Sequence, residues 1–220
     1  KSTLVLKLIQ DDSVWCGGGF QKVIYAVPTL QGREEYLAAL DRACSGDGEE
    51  RRKELLVLDR VPNVEEDVVP FSEGHQVLLV LDDLLGFRDT KGLQDLVTIQ
   101  SHHNRISCIF CVQNPFLKSS SRLDLTTVSR NLTGRFLMYQ VNDWSIFGTL
   151  NSRLFPDRKN FLLECLTYAR DKLGLPYIFI NTASFNKLER RYIVYTAMFQ
   201  EERRQFEDSP FFFDLNATRS

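Results

Sequence analysis

Asp82 and Asp83 stand directly after the run Val77-Leu78-Leu79-Val80-Leu81. An unbroken apolar run of this length reads as a strand buried on both faces of a parallel sheet. Carboxylates at the C-terminal end of such a strand project into the crevice where α/β proteins bind their ligands. Two together allow a division of labour, with Asp82 holding Mg²⁺ through its water shell and Asp83 orienting or deprotonating an attacking water. The same letters also describe a strand that simply ends in a solvated turn. A second apolar run, 106–112, ends in Gln113-Asn114-Pro115. A neutral amide at that tip can sense a γ-phosphate and help to position water; its plain alternative is a turn ahead of Pro115. The chain opens Lys1-Ser2-Thr3 and runs straight into helical periodicity. These residues match the end of G-x-x-x-x-G-K-[ST], where the Lys reaches the β- and γ-phosphates of a nucleotide and the hydroxyl binds Mg²⁺. Alone they are weak evidence. What points to ATP and Mg²⁺ is the order: Lys-Ser, then Asp-Asp, then Gln, each at a helix start or a strand end. In that reading Lys1, Ser2 and Thr3 bind nucleotide, Ser2 and Asp82 bind metal, and Asp83 and Gln113 act on the water.

The elements that must hold these groups alternate along the chain. Residues 2–10 read as a short amphipathic helix, and Gly17-Gly18-Gly19 precedes a strand at 20–27 that ends in Pro28. A helix follows at 33–44, with Tyr36, Leu37 and Leu40 on one face. Residues 45–75 are rich in charge, Pro and Gly and read as a loop insertion carrying a short strand at 55–58. Beyond the strand at 76–81, the pattern gives a helix at about 91–102, the strand at 106–112, a helix near 123–131 and a strand at 135–141. Helices near 143–153 and 158–173 come next, then strands at about 177–181 and 191–198, with 205–220 as a C-terminal tail. Buried strands alternating with helices argue for an α/β fold with a mostly parallel sheet.

Composition bounds what these elements can serve. The chain has 220 residues, 43% hydrophobic and 25% charged, the balance of a globular protein with enough length for one large domain and a sizeable core. Net charge is −2, so no overall positive field draws the chain to nucleic acid; DNA contact needs a local patch or an oligomer. The clusters Arg51-Arg52-Lys53, Arg158-Lys159, Arg190-Arg191 and Arg203-Arg204 sit among acids and read as solvated faces. Cysteines number five. Cys108 and Cys111, three apart on a strand, face opposite sides, so a shared metal is not expected and the thiols fit a reducing compartment. Asn131-Leu132-Thr133 and Asn216-Ala217-Thr218 match the glycosylation sequon, a pattern common by chance. No apolar run approaches the ~18 residues of a membrane span, and no signal peptide is visible. A protein that is neither secreted nor membrane-bound is expected.

The set Lys1-Ser2-Thr3, VLLVLDDLL at 77–85 and SHHNRISCIFCVQNPF at 101–116 resembles the FtsK–HerA branch of P-loop ATPases, particularly the poxvirus-type DNA-packaging ATPases of large DNA viruses and virus-like transposons. The resemblance covers most of the chain and is clearest over about 76–155. It implies a three-layer P-loop NTPase fold of the ASCE (RecA-like) kind across 1–220, with the first strand and the loop glycines missing ahead of Lys1. It also implies a homo-oligomeric ring that hydrolyses ATP to translocate double-stranded DNA, with capsid or portal-like viral proteins as partners. The host cytoplasm or nucleus, or the virion, would be its location. Position by position, Lys1 and Ser2 fall on the end of Walker A, Asp82 and Asp83 on Walker B, and Gln113 on the sensor. Asp83 stands where relatives often carry Glu, one methylene longer. Such rings complete the site with an arginine from the neighbouring subunit; Arg122, in SSSR at 119–122, is the first candidate, ahead of Arg130 and Arg135. Without the loop glycines, no hydrolysis is expected from the 220-residue piece itself. Two other readings stay open: another P-loop DNA translocase, and a catalytically inactive α/β interaction domain from a decayed viral gene copy.

Overall fold

Four five-residue strands in the first part of the chain pair side by side, all parallel. They are β1 (Lys22–Ala26), β2 (Glu54–Leu58), β3 (Val77–Leu81) and β4 (Ile106–Phe110), in the spatial order β2-β1-β3-β4. The computed structural model describes residues 2–15, 19–46, 52–83, 86–87, 93, 96, 105–113, 132–139, 144–182, 194–205 and 212–213. These fall into two compact units, 1–131 and 132–220. In the first unit β1 and β3 are buried at every position, which is why neither shows polar alternation in sequence.

Helices α1 (Ser2–Gln10) and α2 (Glu34–Ser45) cover one face of this sheet. Val23, Tyr25 and Val27 from the β1 segment and Leu78 and Val80 from β3 form a common core with Val5, Ile9, Leu40, Ala43 and Cys44; the two-residue period of a strand puts these side chains on one face. Both helices run against the strand direction. Lys53, one residue ahead of β2, donates its backbone N–H to Cys44 O at the end of α2 (2.8 Å). Its buried ammonium donates to Ile9 O at the end of α1 and to Asp12 Oδ1 (2.6 Å). A cation on the last carbonyls of α1 also opposes the helix dipole. Both helix C-termini therefore lie at the N-terminal ends of the strands, and both helix starts face the C-terminal ends.

Residues 45–75, expected as an insertion, supply β2 and with it one side of the sheet. After β2, the Asn63 side chain accepts from Glu65 N and Glu66 N (2.9 and 3.3 Å), opening a wide turn at Val64–Val68 that runs into the single-turn helix α3 (Val69–Ser72). The segment is tied to the sheet by Lys22, whose ammonium bridges Glu54 (2.6 Å) and Glu73 (2.8 Å).

The second unit holds β5 (Gly134–Met138), α4 (Trp144–Leu154), α5 (Phe161–Leu173), β6 (Tyr177–Asn181), β7 (Val194–Tyr195), α6 (Gln200–Gln205) and β8 (Phe212–Phe213). Its strands form a separate antiparallel sheet in sequence order, with Gly134 opposite Asn181 and Met138 opposite Tyr177. This corrects the expectation of one mostly parallel sheet through the chain. Apolar runs report burial and carry no direction. A single crossover helix returns the chain to the start of a parallel neighbour, whereas the two helices between β5 and β6 bring it back to the end at which it left. Asn151 joins those helices: its Oδ1 accepts from Leu162 N (2.9 Å) and its Nδ2 donates to Arg158 O (2.7 Å). Leu162 N–H is one of the orphan donors of the first turn of α5, and Asn160 makes no side-chain cap there, so a residue from α4 does the capping.

The helices expected near 91–102 and 123–131 lie largely outside the described residues; of the first, Leu93 and Leu96 are buried. Among the described residues no helix is long and apolar enough to cross a membrane.

Candidate functional site

Asp82 follows β3 by one residue and keeps the sheet pairing, donating its N–H to Ala26 O (2.9 Å). Its carboxylate is almost fully enclosed and every acceptor direction but one is used. Tyr25, on the helix-covered face of β1, donates its hydroxyl to Asp82 Oδ2 (2.7 Å). The chain leaves β1 at Pro28, turns back through Gly32 in the left-handed region (φ 73°) and starts α2 at Arg33. Arg33 Nη1 donates to the same Oδ2 (2.9 Å) and lies 3.4 Å from the Tyr25 hydroxyl. Oδ1 accepts the backbone N–H of Asp83 (2.9 Å). Burial, and then the Asp82 carboxylate, push the Tyr25 hydroxyl well above its ordinary pKa, so it remains a donor. The Tyr36 ring lies 5.5 Å from that of Tyr25, and its buried hydroxyl has no hydrogen-bond partner among the described residues.

Asp83 takes a left-handed backbone (φ 52°), a conformation that Asp and Asn enter more readily than most residues. Such strain gathers at functional sites, where the surroundings over-determine it. Gly86 closes the turn with N–H to Asp83 O (2.8 Å). A Cβ at Gly86 would stand 2.6 Å from Pro28 Cγ and 3.1 Å from Asp83 Oδ2, so the lack of a side chain lets Gly86 pass this close to Pro28.

Gln113 arrives on the neighbouring strand. β3 and β4 pair in register from Val77 with Ile106 to Leu81 with Phe110, and Cys111 N donates to Leu81 O (2.9 Å). That bond sets Cys111 beside Asp82, and the register ends there because Asp83 turns out of the strand. Gln113, exposed, follows the end of β4 by three residues. Asp82, Asp83 and Gln113 thus all follow the C-terminal ends of adjacent parallel strands. Ser2 and Thr3 are exposed in the first turn of α1, the end of that helix facing the C-terminal ends of the strands. Lys1, Arg122 and Arg130 lie outside the described residues. Arg135 sits within β5 of the second unit, half-buried, with burial lowering its pKa. As the strand period requires, Ile109 and Cys111 pack toward the helix-covered face while Cys108 points to the other, its thiol pushed up by burial to about 12.

The donor set suits Mg²⁺. Asp82 Oδ1 keeps one lone pair and Asp83 has a whole carboxylate, and Mg²⁺ favours one or two carboxylates completed by water and phosphate over an all-protein cage. No cluster of three or more His, Cys, Asp or Glu side chains stands among the described residues.

Sequence reasoning missed Tyr25 and Arg33. A signal for the first exists: a hydroxyl inside the apolar run Val23-Ile24-Tyr25-Ala26-Val27 must find an acceptor when buried. Arg33 carries no comparable mark. Set against protein-family models, curated proteins and solved structures, the chain matches none of them.

Proposed function

We propose that the first unit is the nucleotide-binding part of a P-loop ATPase of the FtsK–HerA kind, a ring motor that moves double-stranded DNA into a viral or virus-like capsid through capsid or portal-like partners. The observation that carries this is the in-register parallel pairing of β3 with β4, two strands whose C-terminal ends run on into Asp82-Asp83 and toward Gln113. The orientation of α1, with Ser2 toward those ends, supports it. So does the order β2-β1-β3-β4: among the described residues β4 is paired on one side only, and a strand leading into α1 would take the other.

In this reading Lys1 binds the β- and γ-phosphates, and the Ser2 hydroxyl and Asp82 hold the metal's ligand shell. Bound Mg²⁺ supplies charge neutralisation across the β- and γ-phosphates. Asp83 takes the proton of the attacking water as its oxygen bonds to the γ-phosphorus and ADP leaves. Gln113 orients that water. Arg122 from an adjacent subunit balances charge on the transferred group. With a net charge of −2, the duplex contacts come from modest basic patches repeated around a ring, made to phosphates and weakened steeply by salt.

ATP hydrolysis measured against protein concentration, with and without duplex DNA at low salt, tests this in protein extended upstream of Lys1. The rate per subunit is expected to rise with concentration and with DNA, and Arg122→Ala subunits are expected to poison mixed rings. A rate that stays flat and ignores DNA would leave an ATPase and remove the motor. The enclosure of Asp82 by Arg33 and Tyr25 favours one other reading, an inactive α/β interaction domain in which Asp82 is structural; protein extended in this way that never hydrolyses ATP would establish it.

A further inference from the structure

We infer that Arg33 is a resident counter-ion for Asp82, and that Arg33 and a divalent cation compete for this carboxylate. The inference rests on the reading of Asp82 as a metal-holding group.

Its basis is the count of lone pairs. Asp82 Oδ2 has two good acceptor directions, filled by the Tyr25 hydroxyl at 2.7 Å and Arg33 Nη1 at 2.9 Å. Oδ1 has one filled, by Asp83 N–H at 2.9 Å. A hydrated cation at the open lone pair of Oδ1 meets the charge of Arg33 across the same carboxylate, and one that also engages Oδ2 has to displace a donor there. The two donors on Oδ2 differ sharply in mobility. Tyr25 is wholly buried in the central strand β1 and cannot leave without opening the core.

Arg33 can leave. Its side chain is 29% exposed, and only one guanidinium nitrogen reaches the carboxylate, without the second parallel bond that makes an arginine–carboxylate pair strong. Its backbone stays in place through Arg33 N to Leu30 O (3.2 Å) and Leu37 N to Arg33 O (2.9 Å), so the long stem can swing while α2 stays docked. Partly exposed pairs of this kind are worth little net free energy, and a divalent cation brings twice the charge to the same carboxylate. Arg33 thus keeps an enclosed carboxylate from standing uncompensated and yields it when the cation arrives.

The test is a titration of Mn²⁺ alone, without nucleotide, into the 220-residue protein, with unbound Mn²⁺ read by EPR. Arg33→Gln is expected to bind Mn²⁺ about tenfold more tightly than wild type, the effect of removing one positive charge from a partly exposed side chain beside the same carboxylate. Arg33→Lys, which keeps the charge but loses reach, falls between the two. Arg42→Gln makes the same change in net charge in the last turn of α2 and is expected to match wild type. Asp82→Asn is expected to weaken binding in every background. Arg33→Gln and Arg33→Lys both binding no more tightly than wild type, with Asp82→Asn still weakening it, would overturn the competition and leave Asp82 as the metal group. Mn²⁺ binding indifferent to Asp82→Asn in both wild type and Arg33→Gln would overturn the metal reading beneath it.

Discussion

Asp83→Asn is expected to abolish ATP turnover, by about 10²–10⁴-fold in kcat, while leaving nucleotide affinity nearly unchanged. The substitution preserves size and removes the basic oxygen, so the loss falls on a step that needs a proton acceptor. Backbone geometry makes it a clean probe. Asp83 sits at φ 52°, where Asn is as well tolerated as Asp, so the turn closed by Gly86 N to Asp83 O should survive. Steady-state hydrolysis and equilibrium ATP binding, in protein extended upstream of Lys1, separate the two effects. If Asp83→Asn instead lost Mg²⁺-dependent binding while Asp82→Asn lost only turnover, the roles of the two acids would be reversed.

Asp82→Ala is expected to lose metal-dependent nucleotide binding and to unfold the first unit more easily. Three donors converge on this carboxylate, from Tyr25, Arg33 and the Asp83 backbone. Removing it strands the Tyr25 hydroxyl in a fully buried position, which costs about 2–3 kcal/mol with the lost hydrogen bonds. Arg33, partly exposed, can return to water and adds little. A loss of that size is a large share of the 5–15 kcal/mol that holds a typical domain together. Asp82→Asn keeps an acceptor for Tyr25 and is expected to cost about 1 kcal/mol while still losing the metal, which separates the two functions of the residue. Urea unfolding of both variants gives the comparison. An Ala variant within about 0.5 kcal/mol of wild type would show that the cluster does not stabilise the unit.

Strands with a single strong signal were legible from sequence. The runs expected at 76–81 and 106–112 contain β3 and β4, because β3 is buried at every position and β4, more exposed, has Ser107 as its one polar residue. The periodicity puts the first helix at its observed bounds, and α2 within a residue of them. Less was visible where the deciding contact is distant. Arg33 lies 49 residues from Asp82 and Tyr25 lies 57, and no local pattern announces a pairing at that range. Direction was equally hidden: Tyr177-Ile178-Phe179-Ile180 reads as a buried strand whichever way it runs, and only the two intervening helices decide that it meets β5 antiparallel. The charge, Pro and Gly of 45–75 advertise turns around the short strand expected at 55–58, and what they do not show is that this strand joins the parallel sheet, pairing Leu55–Leu58 with Val23–Ala26.

The most direct test of the account is where a metal–nucleotide complex sits on the chain. Mn²⁺ bound with a non-hydrolysable ATP analogue, added at low ratio to protein extended upstream of Lys1, broadens the amide NMR signals nearest to it. The account predicts that Ser2, Asp83 and Gln113 lose their signals first. Lys22 and Glu54, paired at the opposite end of the strands, should keep theirs. Sharp signals at Asp83 and Gln113, with broadening confined to other residues, would contradict it.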